Sequence, residues 1–438
     1  MADLYLCVDP GGSQTKIIYQ LHGQPKPQYL LMPPEVEQIT AFSLNSYFDS
    51  LGWIGSPAAI QQIWLEVDED VFVVGAFASK FDPEDRLGEL KYENALYKVL
   101  AAVGLIREIH QLSPRKKLVL QLAILLPWNE YNDRQRFRAK IDTMLSQFSF
   151  RGQTCKVKLE KFLCRPEGGG LAAIRILQQG INWLQQRKLG VLMLGHRNTT
   201  ALYFEYGELK QGDSPLIGFS KLLDDVIART SGLNRESLAR AIFQGIESAS
   251  EQIYIVKKEY SSSNDAYTQH PKWSQLDAIQ ALASAKNDHL WQQEVADLAS
   301  AIDEATREYW SKLSKWLNRV LPSDLDEVVI SGGTARFLEP ELEAYFNCEP
   351  QLEYPKGINS RDKRVRSGTY KALDYKTHFT PIVWGAGIKQ QVEAVFSLSD
   401  QKHSEQSLSY RLVDAYGLFD YLIAKNSSTK IQRSGAES

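Results

Sequence analysis

One sequence pattern occurs twice in this chain and constrains its fold more than any other feature. Residues 4–19 contain an apolar run up to Val8, a turn with two glycines, and a second apolar run. Residues 190–206 repeat this order of strand, small-residue turn and strand about 190 residues later. Two apolar runs joined by a short Gly-containing segment are typical of a β-hairpin. The sequence therefore predicts two hairpins at corresponding places in two halves of the chain.

The turn of the first hairpin has the residue types of an anion-binding loop. Gly11, Gly12 and Ser13 let the backbone approach an anion closely, and successive N–H groups form a concave nest. Lys16 adds a cation, and Asp9 places a carboxylate where it can hold a metal-bound water. The chain contains neither a G-x-x-x-x-G-K-[ST] loop nor a G-x-G-x-x-G loop. An ordinary turn fits the same residues, because glycine and serine are common in turns.

The composition limits the class of protein. With 438 residues the chain is long enough for two or three domains, and its hydrophobic content of 43% is typical of a globular protein. A net charge of −3 gives no positive field that would drive general binding to nucleic acid or to an anionic membrane. The longest strongly apolar run, residues 118–126, is too short to span a bilayer. Since no signal peptide is recognisable, we expect a cytoplasmic protein without a membrane span.

The four cysteines do not form a recognisable metal or disulfide pattern. None of them belongs to a C-x-x-C motif or lies in a histidine-containing metal motif. We therefore expect buried free thiols at Cys7, Cys155, Cys164 and Cys348.

Between and after the two hairpins, strand patterns alternate with helix patterns, which indicates an α/β fold. Residues 116–126 form a continuous apolar run of the kind that is buried on both faces of a mostly parallel sheet. A stripe of apolar residues at helical spacing runs along residues 295–320 and indicates a helix that faces the core. The other predicted strands are residues 63–68, 71–75 and 326–330, and the other predicted helices are residues 90–103, 133–148 and 171–186.

Three strand-to-turn motifs stand in a fixed order, at residues 9–12, 195–200 and 331–334, with Glu167 and three glycines between the first two. Together they resemble the motifs of the actin-like ATPase superfamily, which includes actins, sugar kinases and heat-shock chaperone ATPases. The resemblance extends to about residue 395. The segments that look most like the ParM/StbA-type bacterial plasmid-segregation actins are residues 71–80, 125–131 and 165–168.

The resemblance implies an α/β fold of two duplicated actin-like, ribonuclease H-like domains with a nucleotide cleft between them. Domain I would comprise residues 1–165 and about 379–425, and domain II residues 166–378. A helical subdomain would lie within domain II at about residues 219–322. Residues 426–438 are polar and are expected to form a disordered tail.

The resemblance also implies a ligand, which is ATP or GTP with Mg²⁺ in the cleft. Asp9 would hold the metal through water, and the first turn with Lys16 would hold the β- and γ-phosphates. Glu167 and Asp9 would be the catalytic carboxylates, with Glu167 orienting the attacking water. From local physics alone, Glu167 equally fits an acidic residue that stabilises a helix N-terminus. The residues that match the nucleotide-binding motifs are Asp9, Gly11, Gly12, Ser13, Lys16, Arg197, Asn198, Thr199, Thr200, Gly332 and Gly333.

The second phosphate motif departs from the family pattern, in which an aspartate stands at the strand tip. Here the acidic group is missing, and the tip reads Leu194-Gly-His-Arg-Asn-Thr-Thr200. Arg197 is a candidate for a direct charge-assisted contact with the γ-phosphate. His196 is a candidate phosphate ligand or base, although a lone histidine is more often a structural hydrogen-bonding group. We therefore expect slow or altered hydrolysis.

The function implied by the resemblance is that of a nucleotide-dependent filament protein. Such a protein would assemble with itself and serve plasmid or DNA segregation, or cytoskeletal scaffolding, through a DNA-binding adaptor and without direct sequence-specific contact to bases. Two alternatives on the same fold are a nucleotide-binding scaffold without hydrolysis and a small-molecule kinase, for which we identify no acidic base motif. The basic run at residues 361–366 fits solvated surface or a partner contact, and the aromatic segment at residues 410–423 fits packing on the first domain or on a partner.

Overall fold

Three five-stranded β-sheets organise the part of the chain that the computed structural model describes. The described residues are 2–51, 57–81, 90–113, 116–256, 272–347, 379–398 and 408–434. The predicted basic run at residues 361–366 and Cys348 lie outside them. Cys7, Cys155 and Cys164 are buried free thiols, as predicted. None of the helices in these ranges is both long and apolar enough to cross a membrane.

The elements are numbered in chain order. The strands are β1 (Leu4–Pro10), β2 (Thr15–Leu21), β3 (Gln28–Met32), β4 (Val36–Ile39), β5 (Ile63–Val67), β6 (Asp70–Val74), β7 (Leu118–Leu126), β8 (Phe148–Phe150), β9 (Gln153–Cys155), β10 (Val157–Pro166), β11 (Lys188–Leu194), β12 (Thr199–Glu205), β13 (Glu208–Asp213), β14 (Glu327–Ser331) and β15 (Ile382–Trp384). The helices are α1 (Ala41–Ser50), α2 (Lys91–Ile109), α3 (Arg134–Ser146), α4 (Gly169–Gln179), α5 (Ile181–Leu184), α6 (Phe219–Arg229), α7 (Arg235–Val256), α8 (Asp277–Gln280), α9 (Asp288–Val320), α10 (Gly333–Phe337), α11 (Glu339–Phe346), α12 (Lys389–Phe396) and α13 (Leu408–Ser434).

The first and second sheets have the same topology. The first has the strand order β10-β7-β1-β2-β3, and the second has the order β15-β14-β11-β12-β13. In each sheet the first three strands of this order run parallel and the last three are antiparallel neighbours. The hairpins β1–β2 and β11–β12 therefore occupy equivalent positions. This repetition confirms the predicted fold class of two duplicated α/β halves.

The third sheet is antiparallel and is inserted in the first half. Its strand order is β4-β6-β5-β8-β9. The predicted strand pair at residues 63–68 and 71–75 forms its central β5–β6 hairpin. Branched and aromatic side chains such as Ile63, Val71 and Phe72 suit a half-buried pleated surface, and Phe72 stacks on Tyr97 of α2.

Two helices, α4 and α13, lie between the first and second sheets. One hydrophobic cluster joins both helices to strands β1, β7, β11 and β14. The helices approach so closely that a Cβ on Gly170 would lie 1.8 Å from the Asp414 carbonyl oxygen. Separate clusters cover the outer face of the first sheet with α2 and α3, and that of the second sheet with α6, α7 and α9. The aromatic segment at residues 410–423 thus packs inside its own chain.

Two helix boundaries differ from the prediction. The helix predicted over residues 171–186 ends at Gln179, because Gly180 has a φ of 84° and starts the separate short helix α5. Helix α13 continues to Ser434, so residues 426–434 are helical instead of part of a disordered tail. No glycine or proline interrupts the chain between Leu418 and Ser434, which permits this continuation.

Strand β15 lies in the second sheet, although the predicted domain I included residues 379–425. It pairs in parallel with β14, with Val329 opposite Val383. The backbone hydrogen bonds of residues 382–384 therefore tie this segment to the second half. Helix α13, in contrast, contacts strands of the first sheet as well as α4. The division of the chain into two domains otherwise stays a prediction.

Candidate functional site

The turns of the two equivalent hairpins meet between the first and second sheets. The backbone of Gly12, in the β1–β2 turn, lies against Arg197, in the β11–β12 turn. A Cβ on Gly12 would lie 2.8 Å from the Arg197 Cβ, which is closer than two such atoms normally approach. The two halves of the chain therefore contact each other through the turns that the sequence singled out, and this contact depends on glycine.

An ion pair crosses the first hairpin. Asp9 and Lys16 are opposite each other in the antiparallel register, and Lys16 Nζ donates to Asp9 Oδ2 at 2.5 Å. Both side chains are buried, so salt screens their attraction only weakly. The Gly11 N–H donates to the Asp9 carbonyl oxygen at 2.8 Å, which tightens the start of the turn.

A larger polar network joins the second hairpin to α2 and to the turn after β10. Lys91 Nζ donates to Glu167 Oε1 at 2.6 Å and to Asn198 Oδ1 at 2.7 Å. Asn198 Nδ2 donates to Glu167 Oε2 at 2.6 Å, and the Thr200 hydroxyl donates to the same oxygen at 3.1 Å. The Ser214 hydroxyl shares a hydrogen bond with the Thr200 hydroxyl. Both carboxylate oxygens of Glu167 are therefore engaged.

This network keeps the Glu167 carboxylate ionised. Burial acts to raise the pKa of Glu167, but the Lys91 charge and the hydrogen bonds from Lys91 and Asn198 together hold that pKa below its ordinary value. A buried carboxylate is tolerated in this form because it is paired with an ammonium group and its oxygens are hydrogen-bonded.

Glu130 positions Lys91 through the N-terminus of α2. Its carboxylate accepts from the backbone N–H of Lys91 at 3.0 Å and from that of Tyr92 at 2.8 Å. The first N–H groups of a helix have no partner within the helix, so this contact satisfies two of them. Burial raises the pKa of Glu130 even though these N–H groups favour the ionised form.

Asp414 of α13 holds the turn that carries Glu167. Its carboxylate accepts from the backbone N–H of Gly168 at 2.7 Å and from that of Gly170 at 2.8 Å. These N–H groups lie at the N-terminus of α4, where a negative charge is favourable. Asp414 is fully buried, and burial raises the pKa of its carboxyl to about 7.

The first turns of α13 also contact two other loops of the site. The Ser331 hydroxyl, at the end of β14, donates to the Tyr410 carbonyl oxygen at 2.9 Å. Arg411 donates to Gln14 Oε1 in the first hairpin turn at 2.8 Å. One helix therefore connects the first hairpin, the end of β14 and the Glu167 turn.

A cavity of about 1110 Å³ opens where these parts meet. Its lining includes turn residues of both hairpins, the start of α10, part of α7 and residues 33–36. Basic side chains outnumber acidic ones by eight to three, so the lining is predominantly positive. The basic residues are Lys16, Lys80, Lys91, Lys98, Arg197, Arg235, Arg240 and Arg411, and the acidic residues are Glu35, Glu236 and Glu247.

A second group of lining residues is aromatic. Phe243 of α7 lies beside Gly333, 3.9 Å from the place of a Cβ there, and its ring centroid is 5.1 Å from that of Phe219. The ring centroid of His196 is 6.4 Å from that of Phe219. Burial lowers the pKa of His196 to about 4, with the nearby charge of Arg235 adding to the effect, so its imidazole is neutral at neutral pH. The cavity therefore offers an anion-binding part and an apolar part.

The cavity brings together a subset of the predicted binding residues, namely Gly12, Ser13, Lys16, Arg197 and Gly333. The predicted residues Asp9, Asn198, Thr199, Thr200 and Glu167 are buried and do not line it. Gly11 and Gly332 are required by the backbone conformation of their turns. A Cβ on Gly11 would lie 2.6 Å from the Gln14 carbonyl oxygen, and Gly332 has a φ of 108°.

Sequence reasoning missed Lys91, Glu130, Arg411 and Asp414. Lys91 is 76 residues from Glu167 in sequence, and Asp414 is 246 residues from Gly168, so no local spacing relates them. The available signal for Asp414 was one acidic residue within the otherwise apolar segment of residues 412–419. Lys91 stands at the start of a predicted helix and carries no comparable signal.

The donor set of this site does not fit the Mg²⁺ that the sequence predicted at Asp9. Mg²⁺ takes oxygen ligands in octahedral geometry and is usually held through one or two carboxylates. Here Asp9 Oδ2 is paired with Lys16, so Asp9 offers its other oxygen alone, both oxygens of Glu167 are engaged, and β11 ends without an acidic residue. Within the described ranges, no group of three or more His, Cys, Asp or Glu side chains could hold a metal ion.

Solved structures that share this fold are actin-like proteins. ParM of Bacillus thuringiensis with AMPPNP aligns over 98% of this chain and 100% of its own, with 12% identity and a TM-score of 0.50. An archaeal actin homolog aligns over 96% of this chain and 99% of its own, with 13% identity and a TM-score of 0.48. The Alp12 filament structure aligns over 97% of this chain and 100% of its own, with 12% identity and a TM-score of 0.48.

The likeness to ParM shows that the chain has an actin-like fold, as the order of its motifs predicted. Among actin-like proteins its fold is similar to that of Bacillus thuringiensis ParM. No protein-family model matches the chain. No curated protein has a significant match to it either.

Proposed function

We propose that this chain is an actin-like protein that binds a nucleoside triphosphate, ATP or GTP, in the cavity between its two hairpin turns. The observation that carries the proposal is the lining of that cavity, in which both turns and an excess of basic side chains enclose about 1110 Å³. Cavities of up to about 1000 Å³ are typical of small-molecule and cofactor sites.

The phosphates would lie against the hairpin turns. Gly12 and Ser13 offer backbone N–H groups, and the absent side chain of Gly12 allows close approach. Lys16 and Arg197 offer charged donors, which form shorter and stronger hydrogen bonds to phosphate oxygens than neutral donors do. The turns of both halves would then contact the same ligand, so binding would stabilise their contact.

The base and ribose would lie toward α7 and Gly333. Phe219 and Phe243 give this part of the lining two aromatic rings, on which a base can pack. Gln244 and Arg240 add polar groups at the same helix.

The similarity to ParM supports a nucleotide as the first ligand to test. The Bacillus thuringiensis ParM structure contains AMPPNP, and its fold corresponds to this chain over nearly the full length of both. In this chain the cavity opens where the two equivalent hairpin turns meet, which makes it the first place to look for such a ligand.

Hydrolysis would be slow or absent, even though Glu167 and Asp9 were predicted as catalytic carboxylates. A general base must be free to accept a proton from water at hydrogen-bond distance. Glu167 is buried and both its oxygens accept hydrogen bonds from Lys91, Asn198 and Thr200. Activation of water by Glu167 would require this network to open first.

We further propose that the nucleotide-bound protein assembles with copies of itself in the cytoplasm. The sequence resemblance to filament-forming actins motivates this part. Helix α1 leaves Phe42 80% exposed, together with Phe48 and Leu51, and exposed apolar groups of this kind suit a contact with a second copy. Plasmid or DNA segregation through a DNA-binding adaptor, or scaffolding, would be the cellular task.

Binding and assembly can be tested on the purified chain. We expect saturable binding of ATP or GTP by calorimetry, filaments by electron microscopy with nucleotide, and little phosphate release. Rapid phosphate release would support an active ATPase, and phosphate transfer to a sugar without filaments would support the kinase alternative. Absence of saturable binding of either nucleotide would overturn the proposal.

Two variants test whether the nucleotide binds in this cavity. Arg197→Ala removes a cation from the second turn and should weaken triphosphate binding at least about tenfold, since a charged hydrogen bond contributes about 1.5–3 kcal/mol. Lys158→Ala removes an exposed lysine from β10, away from the cavity, and should leave the affinity unchanged. Equal losses in both variants would show a nonspecific charge effect.

A further inference from the structure

We infer that this protein binds its triphosphate without a divalent cation, because the Lys91 ammonium group occupies the part of the site where a metal would otherwise balance charge. The inference rests on the proposed function, since it concerns how that same ligand is held. It departs from the sequence expectation of Mg²⁺ at Asp9.

The position of Lys91 is the first argument. Its ammonium group lies between the two halves, 2.6 Å from Glu167 Oε1 and 2.7 Å from Asn198 Oδ1 in the second hairpin turn. The side chain is only 6% exposed, yet Lys91 belongs to the lining of the cavity. Glu130 fixes the backbone at Lys91, so the cation is held in place before any ligand arrives.

The oxygen donors are the second argument. Glu167 Oε1 is paired with Lys91, and Glu167 Oε2 accepts from Asn198 and Thr200. Asp9 Oδ2 is paired with Lys16. A hydrated Mg²⁺ bound through Glu167 Oε1 would have to displace Lys91, which would leave a buried ammonium group without its partner. One bound through Asp9 would share that carboxylate with Lys16, which already neutralises its charge.

The charge of the lining is the third argument. Lys16 and Lys91 are each matched by a carboxylate, Asp9 and Glu167, that lies behind the lining. Arg235 is likewise paired with Asp224, and Arg240 with Glu236. With these four pairs set aside, the lining has four basic and two acidic side chains, so a smaller basic excess remains. Lys98 contributes to this excess. Burial and the nearby charge of Lys91 lower the pKa of Lys98 to about 8, and a bound anion would favour its charged form.

The decisive comparison needs no variant. ATP is titrated into the wild-type chain by calorimetry in buffer with Mg²⁺ and in buffer with EDTA. We expect affinities that agree within about threefold, because the protein supplies the cations that neutralise the phosphates. A loss of more than about tenfold on chelation would overturn the inference while leaving nucleotide binding established. Absence of binding in both buffers would overturn the proposed function itself.

Two variants test whether Lys91 is the reason that ATP binds without a divalent cation. Lys91→Met frees the Glu167 carboxylate, so we expect Mg²⁺ to tighten ATP binding at least about tenfold in this variant, unlike in the wild type. Lys91→Met with Glu167→Gln removes the freed carboxylate and should remove this metal dependence, with ATP bound weakly in both buffers. Lys158→Ala serves as the matched control and should bind as the wild type does.

These variants give clear contrary outcomes. The role of Lys91 would be contradicted if the Lys91→Met variant bound ATP as tightly as the wild type does and if Mg²⁺ did not change its affinity. If Lys91→Met does not fold, the double variant remains, because it carries no unpaired buried charge. Wild-type affinity in the double variant would contradict the inference.

Discussion

The two hairpins of this protein have the same backbone arrangement and opposite turn chemistry. In both, a central strand of a mixed sheet reverses through a short turn into an antiparallel neighbour. The first turn is made of Gly11, Gly12 and Ser13, and an Asp9–Lys16 pair crosses its base. The second turn contains His196, Arg197 and Asn198 and has no acidic residue.

The difference shows that the pair of hairpins does not require the same residues or the same charge in both turns. The bulky second turn fits because the first turn has no side chain at Gly12, where Arg197 packs. Asn198 then directs its amide to Glu167 and Lys91, in a position where an acidic turn would repel that glutamate. The strand pairing is the same in both hairpins, while the second turn carries a cation and the first carries no charged side chain, in line with the rule that function resides in the site.

The largest expected effect comes from breaking the Lys91–Glu167 pair that the second turn supports. Lys91→Met leaves a buried carboxylate without its cation, so we expect the free energy of unfolding to fall by about 3–5 kcal/mol. Chemical denaturation measures this change. Adding Glu167→Gln should restore most of the loss, and a drop below about 1 kcal/mol for Lys91→Met would show that the pair is not formed.

A smaller effect should follow from adding one methyl group to the first turn. Gly12→Ala places a Cβ 2.8 Å from the Arg197 Cβ, so we expect a destabilisation of about 1–3 kcal/mol through overpacking. In an Arg197→Gly background the opposing Cβ is gone, and the same substitution should be nearly neutral. A double-mutant cycle measures the coupling between the two turns. Additive effects would show that the turns do not touch.

The smallest effect concerns Asp414, which holds the Glu167 turn against both halves. Burial raises the pKa of this carboxyl to about 7 in the folded chain, above its ordinary value. The folded state therefore binds more protons than the unfolded state between these values, and the contribution of Asp414 to stability falls as pH rises through this window. Asp414→Asn should remove this slope, because its amide does not titrate. It should lower the stability at pH 4 by about 1 kcal/mol, because an NH₂ group replaces one of the two oxygens that accept from the Gly168 and Gly170 N–H groups.

Unfolding curves of wild type and Asp414→Asn between pH 4 and 8 measure this slope. Parallel pH profiles for the two proteins would contradict the assignment. Glu130 offers a comparison for Asp414. It also accepts hydrogen bonds from the N–H groups at a helix N-terminus, but all its partners lie in the first half of the chain.

The equivalence of the two hairpins could be predicted from the sequence, because the two strands and the turn of each hairpin are adjacent in the chain. The polar network could not, since Lys91, Glu167 and Asn198 come from three elements separated by 76 and 31 residues. The missing acid in the second turn was visible, but not the lysine that lies beside Glu167. Hydrophobic and turn patterns report local structure, whereas ion pairs between distant elements depend on tertiary packing.

Helix α13 shows the same limit. Its aromatic pattern fitted packing on the first domain or on a partner, and its contacts show that it packs on helix α4 and on strands of its own chain. The contacts of Arg411 with Gln14 and of Asp414 with Gly168 depend on which turn of the helix faces the site. That register follows from the close fit of Gly170 and Gly417, which no local pattern specifies.

The most direct test of the account is a structure of the wild-type chain crystallised with ATP and Mg²⁺. The account predicts phosphates between the Gly12–Ser13 backbone and Arg197, with Lys91 still bonded to Glu167 and no metal ion between the phosphates and Asp9. A triphosphate bound away from the two turns, or a metal ion held by Asp9 with Lys16 displaced, would contradict it.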